Sequence, residues 1–193
     1  MADPVKVTVE TEIKGPTLEG FWQLYRQAFL PLQTLSAARQ VLTEDEFIAE
    51  MTDPRVDKYI AWDGDEAIGL STLTRHLETV PWISPEYFRA RYPDHAARGA
   101  IFYLGFTLTH PEKRQAGAYV AMISAVIAAI KDADGICGYD VSAYHRDQLN
   151  YADNLERFIK RREPADIDLI DQQTYFLLDL SQGDRGEIPA AAG

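Results

Sequence analysis

The stretch AIFYLGFTLTHPEKRQAGAYVAMISAVIAAIK, residues 100–131, decides the fold, because an apolar strand runs here through a charged loop into an apolar helix. Residues 100–109 are apolar on both faces, which predicts a central strand of a sheet. Gly105 interrupts this strand, and such a glycine commonly marks a bulge or a close backbone approach. Residues 117–131 are so rich in Ala, Val, Ile and Met that the predicted helix must be buried against the sheet.

The segments on either side supply neighbours for this strand and helix. A capping box from Thr43 to Glu46 begins a helix, and Asp63-Gly64-Asp65 suits the turn of a hairpin formed by residues 58–62 and 67–73. Further strands are predicted at residues 5–11, 135–144 and 174–180, further helices at 21–29, 87–91 and 148–161, a polar loop at 110–116, and an insertion over a site at 78–99. This order predicts an α/β fold with a mixed central sheet.

The chain has 193 residues, of which 46% are hydrophobic and 25% charged. This composition is typical of a globular protein with its own core. We expect one domain over residues 1–181 and a disordered tail over residues 182–193.

Charge and cysteine content narrow the classes of partner. With 19 basic against 30 acidic residues, the net charge of −11 argues against nucleic acid. If the acidity is functional, it favours a cationic partner such as an amine, and a solvated acidic surface is the commoner explanation. No apolar run reaches the roughly 18 residues that a membrane span needs. Cys137 is the only cysteine, so a reducing, cytoplasmic setting without membrane attachment is expected.

The junction at residues 107–119 has the features of a pyrophosphate-binding site. Backbone N–H groups of the loop and of the first helical turn have no intrahelical partner, and the helix dipole adds partial positive charge. Lys113 and Arg114 add more, and Gly117 lets the backbone approach a ligand closely. The alternative is an ordinary buried α/β connection that carries a charged loop.

This junction resembles the central motif of the GNAT acyltransferases, Val-x-Pro-x-x-Arg-x-x-Gly-x-Gly/Ala. Pro111, Arg114 and Gly117 fall in register with it, whereas Tyr119 stands where the motif has a small residue. The resemblance extends to the order of elements over residues 5–180. It implies an α/β, GNAT-like acyl-CoA N-acyltransferase fold, a mixed central sheet with helices on both faces, and acetyl-CoA or another acyl-CoA as co-substrate.

In that family the fourth and fifth strands splay apart, and main-chain groups of the fourth strand bind the pantetheine arm. The resemblance implies that this chain binds the cofactor through one set of residues, namely Thr107, Leu108, Thr109, Arg114, Gln115, Ala116, Gly117, Ala118, Tyr119 and Asn150. Tyr119 either fills part of the diphosphate pocket or points away from it.

Family members commonly protonate the leaving thiolate with a tyrosine on the fourth helix, where this chain has Leu155-Glu156. Tyr144 and Tyr151 are the catalytic candidates that remain, and ordinary packing is the alternative for each. The scattered histidines and acids lack metal-ligand spacing, so no metal is expected.

The resulting hypothesis is an N-acyltransferase, in the first place an N-acetyltransferase, that transfers the acyl group directly to a small-molecule or peptide amine. The alternative is a non-catalytic GNAT-like protein that binds CoA or another ligand. Assembly as a homodimer is left open.

Overall fold

The structure, a computed structural model, describes residues 5–180 apart from the side chains of residues 114–116. In chain order its elements are β1 (Lys6–Glu10), α1 (Gly15–Phe29), α2 (Leu32–Leu35), α3 (Glu44–Thr52), β2 (Val56–Asp63), β3 (Glu66–Thr74), α4 (Pro85–Arg91), α5 (Pro93–Ala97), β4 (Ile101–Thr109), α6 (Ala118–Asp132), β5 (Ile136–Gly138), α7 (Ala143–Asp147) and α8 (Tyr151–Lys160). Leu77–Thr79 and Pro111–Ala116 are 3-10 helices.

The chain divides into two compact units. The first comprises Met1–Leu30 and Val41–Asp140, and the second comprises Pro31–Gln40 and Val141–Gly193. The single domain over residues 1–181 stays a prediction, and the predicted tail at residues 182–193 lies outside the described residues.

The first unit contains a five-stranded sheet in the order β1-β2-β3-β4-β5. The first three pairings are antiparallel and the β4–β5 pairing is parallel, which confirms the predicted mixed sheet with β4 inside it. The predicted hairpin is β2 and β3, and its turn uses Gly64 at φ +60°.

Helices cover both faces of the sheet, as the sequence predicts. Tyr59 of β2 packs in one core cluster with Val126 of α6. The neighbouring Lys58 must point to the opposite face, because successive strand residues alternate. There its Nζ donates to the carbonyl of Asp53, which ends α3, at 2.7 Å. The apolar helix α6 therefore packs on one face and α3 on the other.

An aromatic cluster fixes α1 and α3 against the C-terminal half of β4. Phe106 of β4 lies with its ring centroid 5.1 Å from Tyr25 of α1 and 6.1 Å from Phe47 of α3. Phe29 stacks on Tyr25 at 4.7 Å. Such pairs contribute about 0.5–1.5 kcal/mol each beyond their buried area, so this end of β4 is held firmly.

The predicted capping box at the start of α3 is confirmed. The Thr43 N–H donates to Glu46 Oε2 at 2.7 Å, and the Glu46 N–H donates back to Thr43 Oγ1 at 3.3 Å. This pairing satisfies two backbone donors that a helix start leaves open. The helix therefore begins where the sequence places it.

Three predicted elements differ from the structure. The strand at residues 135–144 is wrong beyond Gly138, because Ser142 caps α7 by accepting from the His145 N–H at 3.2 Å. Tyr144 is consequently helical. The loop at residues 110–116 is largely a 3-10 helix. The strand at residues 174–180 is also wrong, since these residues belong to no helix or strand in the structure. Their aromatic and aliphatic side chains give strand propensity, but a strand also needs a pairing partner.

Within residues 5–180, no helix is both long and apolar enough to cross a bilayer.

Candidate functional site

Strand β4 extends beyond its parallel neighbour β5 for most of the length of β4. The pairing with β5 covers only Ile101, Phe102 and Tyr103, opposite Ile136 to Gly138. Residues 104–109 continue β4 while keeping β3 on their other side. One edge of β4 therefore carries strand backbone without a β5 partner, which is the geometry of the predicted splay.

Hydrogen bonds to β3 show which backbone groups face this open edge. The His110 N–H donates to the Ile68 carbonyl at 2.8 Å, and the Phe106 N–H donates to Thr72 Oγ1 at 3.2 Å. Because an antiparallel strand alternates its hydrogen-bonding direction, the main-chain groups of Thr107 and Thr109 point away from β3.

Leu108 lies between these two threonines, with its main-chain groups toward β3 and its side chain in the core. The Thr107 hydroxyl is held by Ser71 Oγ at 2.7 Å, so this residue offers its backbone to a ligand. Of the three predicted strand residues, the alternation directs two to the open edge.

The open edge leads directly into the start of α6. His110 caps the start of the 3-10 helix, and its Nδ1 accepts from the Glu112 N–H at 3.3 Å. Gly117 follows at φ +77° and is the residue before α6, to which it gives no side-chain cap. Apart from its two chain neighbours, no described atom lies within 4 Å of where a Cβ at Gly117 would stand. The first backbone N–H groups of this 15-residue helix therefore follow a glycine that the described residues leave uncovered, and an anion is favoured at such a helix start.

The basic residues of the junction have unequal roles. Lys113 Nζ lies 2.9 Å from Asp63 Oδ2 and 3.2 Å from Glu66 Oε2, at the hairpin turn. These two carboxylates raise the pKa of Lys113 and neutralise its charge locally. The side chains of Arg114, Gln115 and Ala116 lie outside the described part of the structure. Lys113 therefore anchors the junction to the hairpin, and its positive field at the junction is weakened.

The last two junction residues begin α6. Ala118 is buried against Ala61, Ile68 and Met122. Tyr119 is half-buried in the first turn. Its effect on a diphosphate stays a prediction.

A half-buried carboxyl that sequence reasoning missed lies beside Gly105. Glu50 of α3 hydrogen-bonds the Thr72 hydroxyl, and burial raises the pKa of Glu50 against the opposing effects of Thr72 and the Lys58 charge. The β3–β4 register shifts between Ser71 and Leu73, opposite Gly105. A Cβ at Gly105 would lie 2.4 Å from Thr72 Oγ1 and 3.4 Å from Glu50 Oε1, so only glycine fits at this irregularity.

Lys58 is the third polar side chain of this cluster, with Glu50 and Thr72. Its side chain is fully buried, and its Nζ donates to the carbonyls of Thr11 and Asp53 at 2.9 and 2.7 Å. Burial lowers the pKa of Lys58, and the Glu50 charge is the largest opposing effect. The sequence gives no signal for this pair, since Glu50 and Lys58 occur in separate elements.

A second carboxylate lies just beyond β5. Asp140 Oδ1 accepts from the Tyr103 hydroxyl at 2.6 Å and from Trp82 Nε1 at 3.1 Å. Tyr103 is the last residue of β4 that pairs with β5, and burial, followed by the Asp140 charge, raises its pKa. Trp82 comes from the insertion predicted to cover a site, and half of its surface is exposed.

The second unit holds the remaining predicted residues. His145 lies between the two candidate tyrosines, with ring centroids 5.9 Å from Tyr144 and 6.2 Å from Tyr151. Its Nδ1 is 2.9 Å from Ser142 Oγ, and burial lowers its pKa. Asn150 precedes α8 with φ +48° and is exposed. The structure thus brings Tyr144 and Tyr151 together around one imidazole, while their catalytic role and the cofactor role of Asn150 stay predictions.

Comparisons with known proteins give structural matches alone, since no family model and no curated protein sequence matches the chain. A possible acetyltransferase from Clostridium difficile 630 superposes with a TM-score of 0.54 at 11% identity, covering 88% of this chain and 99% of that one. An aminoglycoside acetyltransferase from an uncultured soil metagenomic sample, solved with sisomicin, gives a TM-score of 0.49 at 11% identity. The match covers 90% of this chain and 96% of that one. An aminoglycoside N-acetyltransferase in complex with CoA gives a TM-score of 0.49 at 14% identity. The match covers 90% of this chain and 98% of that one.

These similarities concern the fold. The superposition with the Clostridium difficile protein, together with the mixed five-stranded sheet and its helices on both faces, confirms the predicted GNAT-like fold. The site residues and their chemistry have to be argued from this chain itself.

Proposed function

We propose that this protein is an acyl-CoA-dependent N-acyltransferase, and specifically an N-acetyltransferase that modifies an amine. The observation that carries the proposal is the open edge of β4, which leads within a few residues to the left-handed Gly117 and the uncapped start of α6. An extended pantetheine arm can pair with exposed strand backbone, and a diphosphate is stabilised at a helix N-terminus. The two features adjoin in the order in which CoA presents these groups.

The backbone of Thr107 and Thr109 binds the pantetheine arm in this proposal, and the N–H groups around Gly117 and Ala118 bind the diphosphate. Gly117 has room for a phosphate because the described atoms beyond its chain neighbours leave the space where its Cβ would be unfilled. Acetyl-CoA supplies the thioester that is attacked. The protein contributes binding and orientation, which place the amine against the thioester carbonyl.

Glu50 accepts the proton that the attacking amine loses, directly or through one water. Its burial keeps a fraction of the carboxyl protonated at higher pH than in an exposed glutamate, which is typical of a general base near neutrality. As the carbon–nitrogen bond forms and the carbon–sulfur bond breaks, the thiolate takes up a proton, for which Tyr144 and Tyr151 are the candidates.

Direct transfer is favoured over a covalent enzyme intermediate. Cys137 lies on β5, and burial raises its pKa to about 12, so the thiolate that would act as a nucleophile is scarce at neutral pH. A lone cysteine also agrees with the cytoplasmic location that we propose. No metal is needed for this route.

The test combines ligand binding with turnover. Acetyl-CoA should raise the melting temperature, because a ligand that binds only the folded state stabilises it. Release of free CoA thiol should then depend on an added amine. Absence of a thermal shift at millimolar CoA would remove the cofactor assignment. Binding without thiol release across a broad amine panel would favour the non-catalytic CoA-binding protein.

A further inference from the structure

Asp140 is a fixed carboxylate that the proposed transfer does not use. Two neutral donors, the Tyr103 hydroxyl and the Trp82 indole N–H, bond to the same oxygen, Oδ1, at 2.6 and 3.1 Å. No residue in the described part of the chain donates to Oδ2. The group is exposed and has no described cationic partner, so its negative charge is presented to solvent in a defined orientation.

The aromatic side of this group is equally well placed. Trp82 keeps half of its surface exposed although its N–H is engaged. Tyr103 is buried and packs edge-on against Phe88, with ring centroids 6.2 Å apart. A carboxylate beside an exposed indole face is a combination that attracts organic cations through both the charge and the ring quadrupole.

The location ties the group to the open edge of β4. Tyr103 is the last β4 residue that pairs with β5, and Asp140 follows the end of β5 by two residues. Tyr103 belongs to a buried cluster with Val80 and Phe88 of the insertion, whereas the preceding Phe102 packs with Val126 of α6. The carboxylate therefore lies at the point where the strands separate, on the side of the insertion.

We propose that Asp140, Trp82 and Tyr103 form a subsite for an ammonium group of the acceptor, and that the acceptor carries this cation in addition to the amine that is acylated. The inference rests on the proposed function. A carboxylate next to an amine stabilises its protonated form, which cannot attack a thioester. The ammonium at Asp140 is therefore an anchor, and a second, neutral amine reacts.

The probe for this subsite is 1,5-diaminopentane, and 1-pentanol is the uncharged control of similar length. The indole N–H resonances of the protein labelled with nitrogen-15 provide the readout, with Trp82 assigned through Trp82→Phe. Trp62 donates its N–H to Thr8 Oγ1 at 2.9 Å and serves as an internal reference. The measurement does not require turnover.

The diamine should shift the Trp82 resonance in a saturable way and leave the Trp62 resonance in place, whereas pentanol should shift neither. Asp140→Asn should weaken the diamine affinity at least tenfold. The matched control is Asp134→Asn, which removes an acid whose side chain is 93% exposed and whose partner is Arg98. That variant should bind the diamine like the parent.

The subsite proposal would be overturned if the diamine left the Trp82 resonance unshifted. It would also be overturned if the Asp140→Asn protein bound the diamine as tightly as the parent. Failure of the proposed function is recognised separately. Diamine binding without a thermal shift from CoA, or without thiol release, would leave the subsite in place and remove the acyl transfer.

Discussion

At the scale of single residues, Gly117 decides whether a diphosphate can approach the start of α6. Its φ of +77° costs other L-residues roughly 1–2 kcal/mol, and Asn and Asp tolerate such angles best. Gly117→Asn and Gly117→Asp therefore share the backbone strain and differ in charge alone. A negative charge before a helix start is favourable for the helix itself, so the aspartate variant should unfold no more easily than the asparagine variant.

The two variants should separate in CoA binding. We expect Gly117→Asp to bind CoA at least roughly tenfold more weakly than Gly117→Asn, because its carboxylate lies where the diphosphate is proposed. Calorimetric titration measures the affinities, and urea unfolding measures the stabilities. Equal affinities would place the diphosphate elsewhere on the protein.

Glu50 is the residue whose protonation should control turnover. Glu50→Gln should lower kcat by roughly 10²–10⁴, the usual contribution of a general base. Because burial raises the Glu50 pKa, the acidic limb of the parent's rate profile should lie above the range of an exposed glutamate. The variant should lose this limb. Initial rates with an accepted amine across the pH range provide the measurement.

The stability of Glu50→Gln provides a control, because it should not fall when the activity falls. A carboxyl whose pKa is raised by folding stabilises the protein below its unfolded pKa, and this contribution is lost as the pH rises through the folded pKa. Glutamine keeps a neutral side chain at every pH, so the free energy of unfolding of Glu50→Gln at pH 8 should be at least as large as that of the parent. An easily unfolded variant with parental kcat would instead make Glu50 a structural partner of Lys58.

At the scale of elements, the irregularity between β3 and β4 positions Glu50 beside the open edge. Gly105→Ala should lower the free energy of unfolding by roughly 1–3 kcal/mol, because its Cβ would meet Thr72 Oγ1 at 2.4 Å and crowd Glu50. Gly20 of α1 offers a matched control, since beyond the chain neighbours and the backbone of α1 itself no described atom lies within 4 Å of a Cβ there. Gly20→Ala should raise the free energy of unfolding by roughly 0.5–1 kcal/mol.

Chemical denaturation of both variants decides this prediction. A Gly105→Ala protein as stable as the parent would show that the two strands shift easily at this point, and Glu50 would then lack a fixed position. A loss of stability in Gly20→Ala would mean that α1 itself depends on glycine at this position.

At the scale of the whole molecule, the net charge of −11 acts oppositely on the two substrates. It repels the anionic CoA at long range and attracts a cationic acceptor. Raising the ionic strength from 0.01 to 0.1 M shortens the screening length from about 30 to about 10 Å. The association rate of CoA should therefore rise with salt, and the KM of a cationic acceptor should also rise.

Stopped-flow binding and steady-state rates at several salt concentrations test this prediction. An association rate for CoA that falls with salt would show that positive charge near the junction outweighs the acidic surface. Since Lys113 is neutralised by Asp63 and Glu66, that charge would have to come from another residue of the junction.

Local periodicity, capping and turn chemistry were enough to predict the central strand, the hairpin, the capped helix α3 and the apolar helix α6. They also pointed to Gly105 and Gly117 as candidate site positions, since these glycines are conspicuous in an apolar strand and at a helix start. The wrong strand at residues 135–144 has the same local origin. Its apolar pattern outweighed Ser142, whose hydroxyl caps α7.

The tertiary structure alone decided which side chains meet. Glu50 and Lys58 approach each other because α3 packs on the face of β2 that carries Lys58, and Asp140 joins Trp82 and Tyr103 from two other segments. It also showed that Lys113 is held by the hairpin turn. These side-chain contacts and the burial of the groups leave no periodic pattern in the sequence, since both arise from contacts between residues that are distant in sequence. Local pattern therefore pointed to the junction at Gly117, the resemblance pointed to the edge of β4, and the carboxylates required the packed molecule.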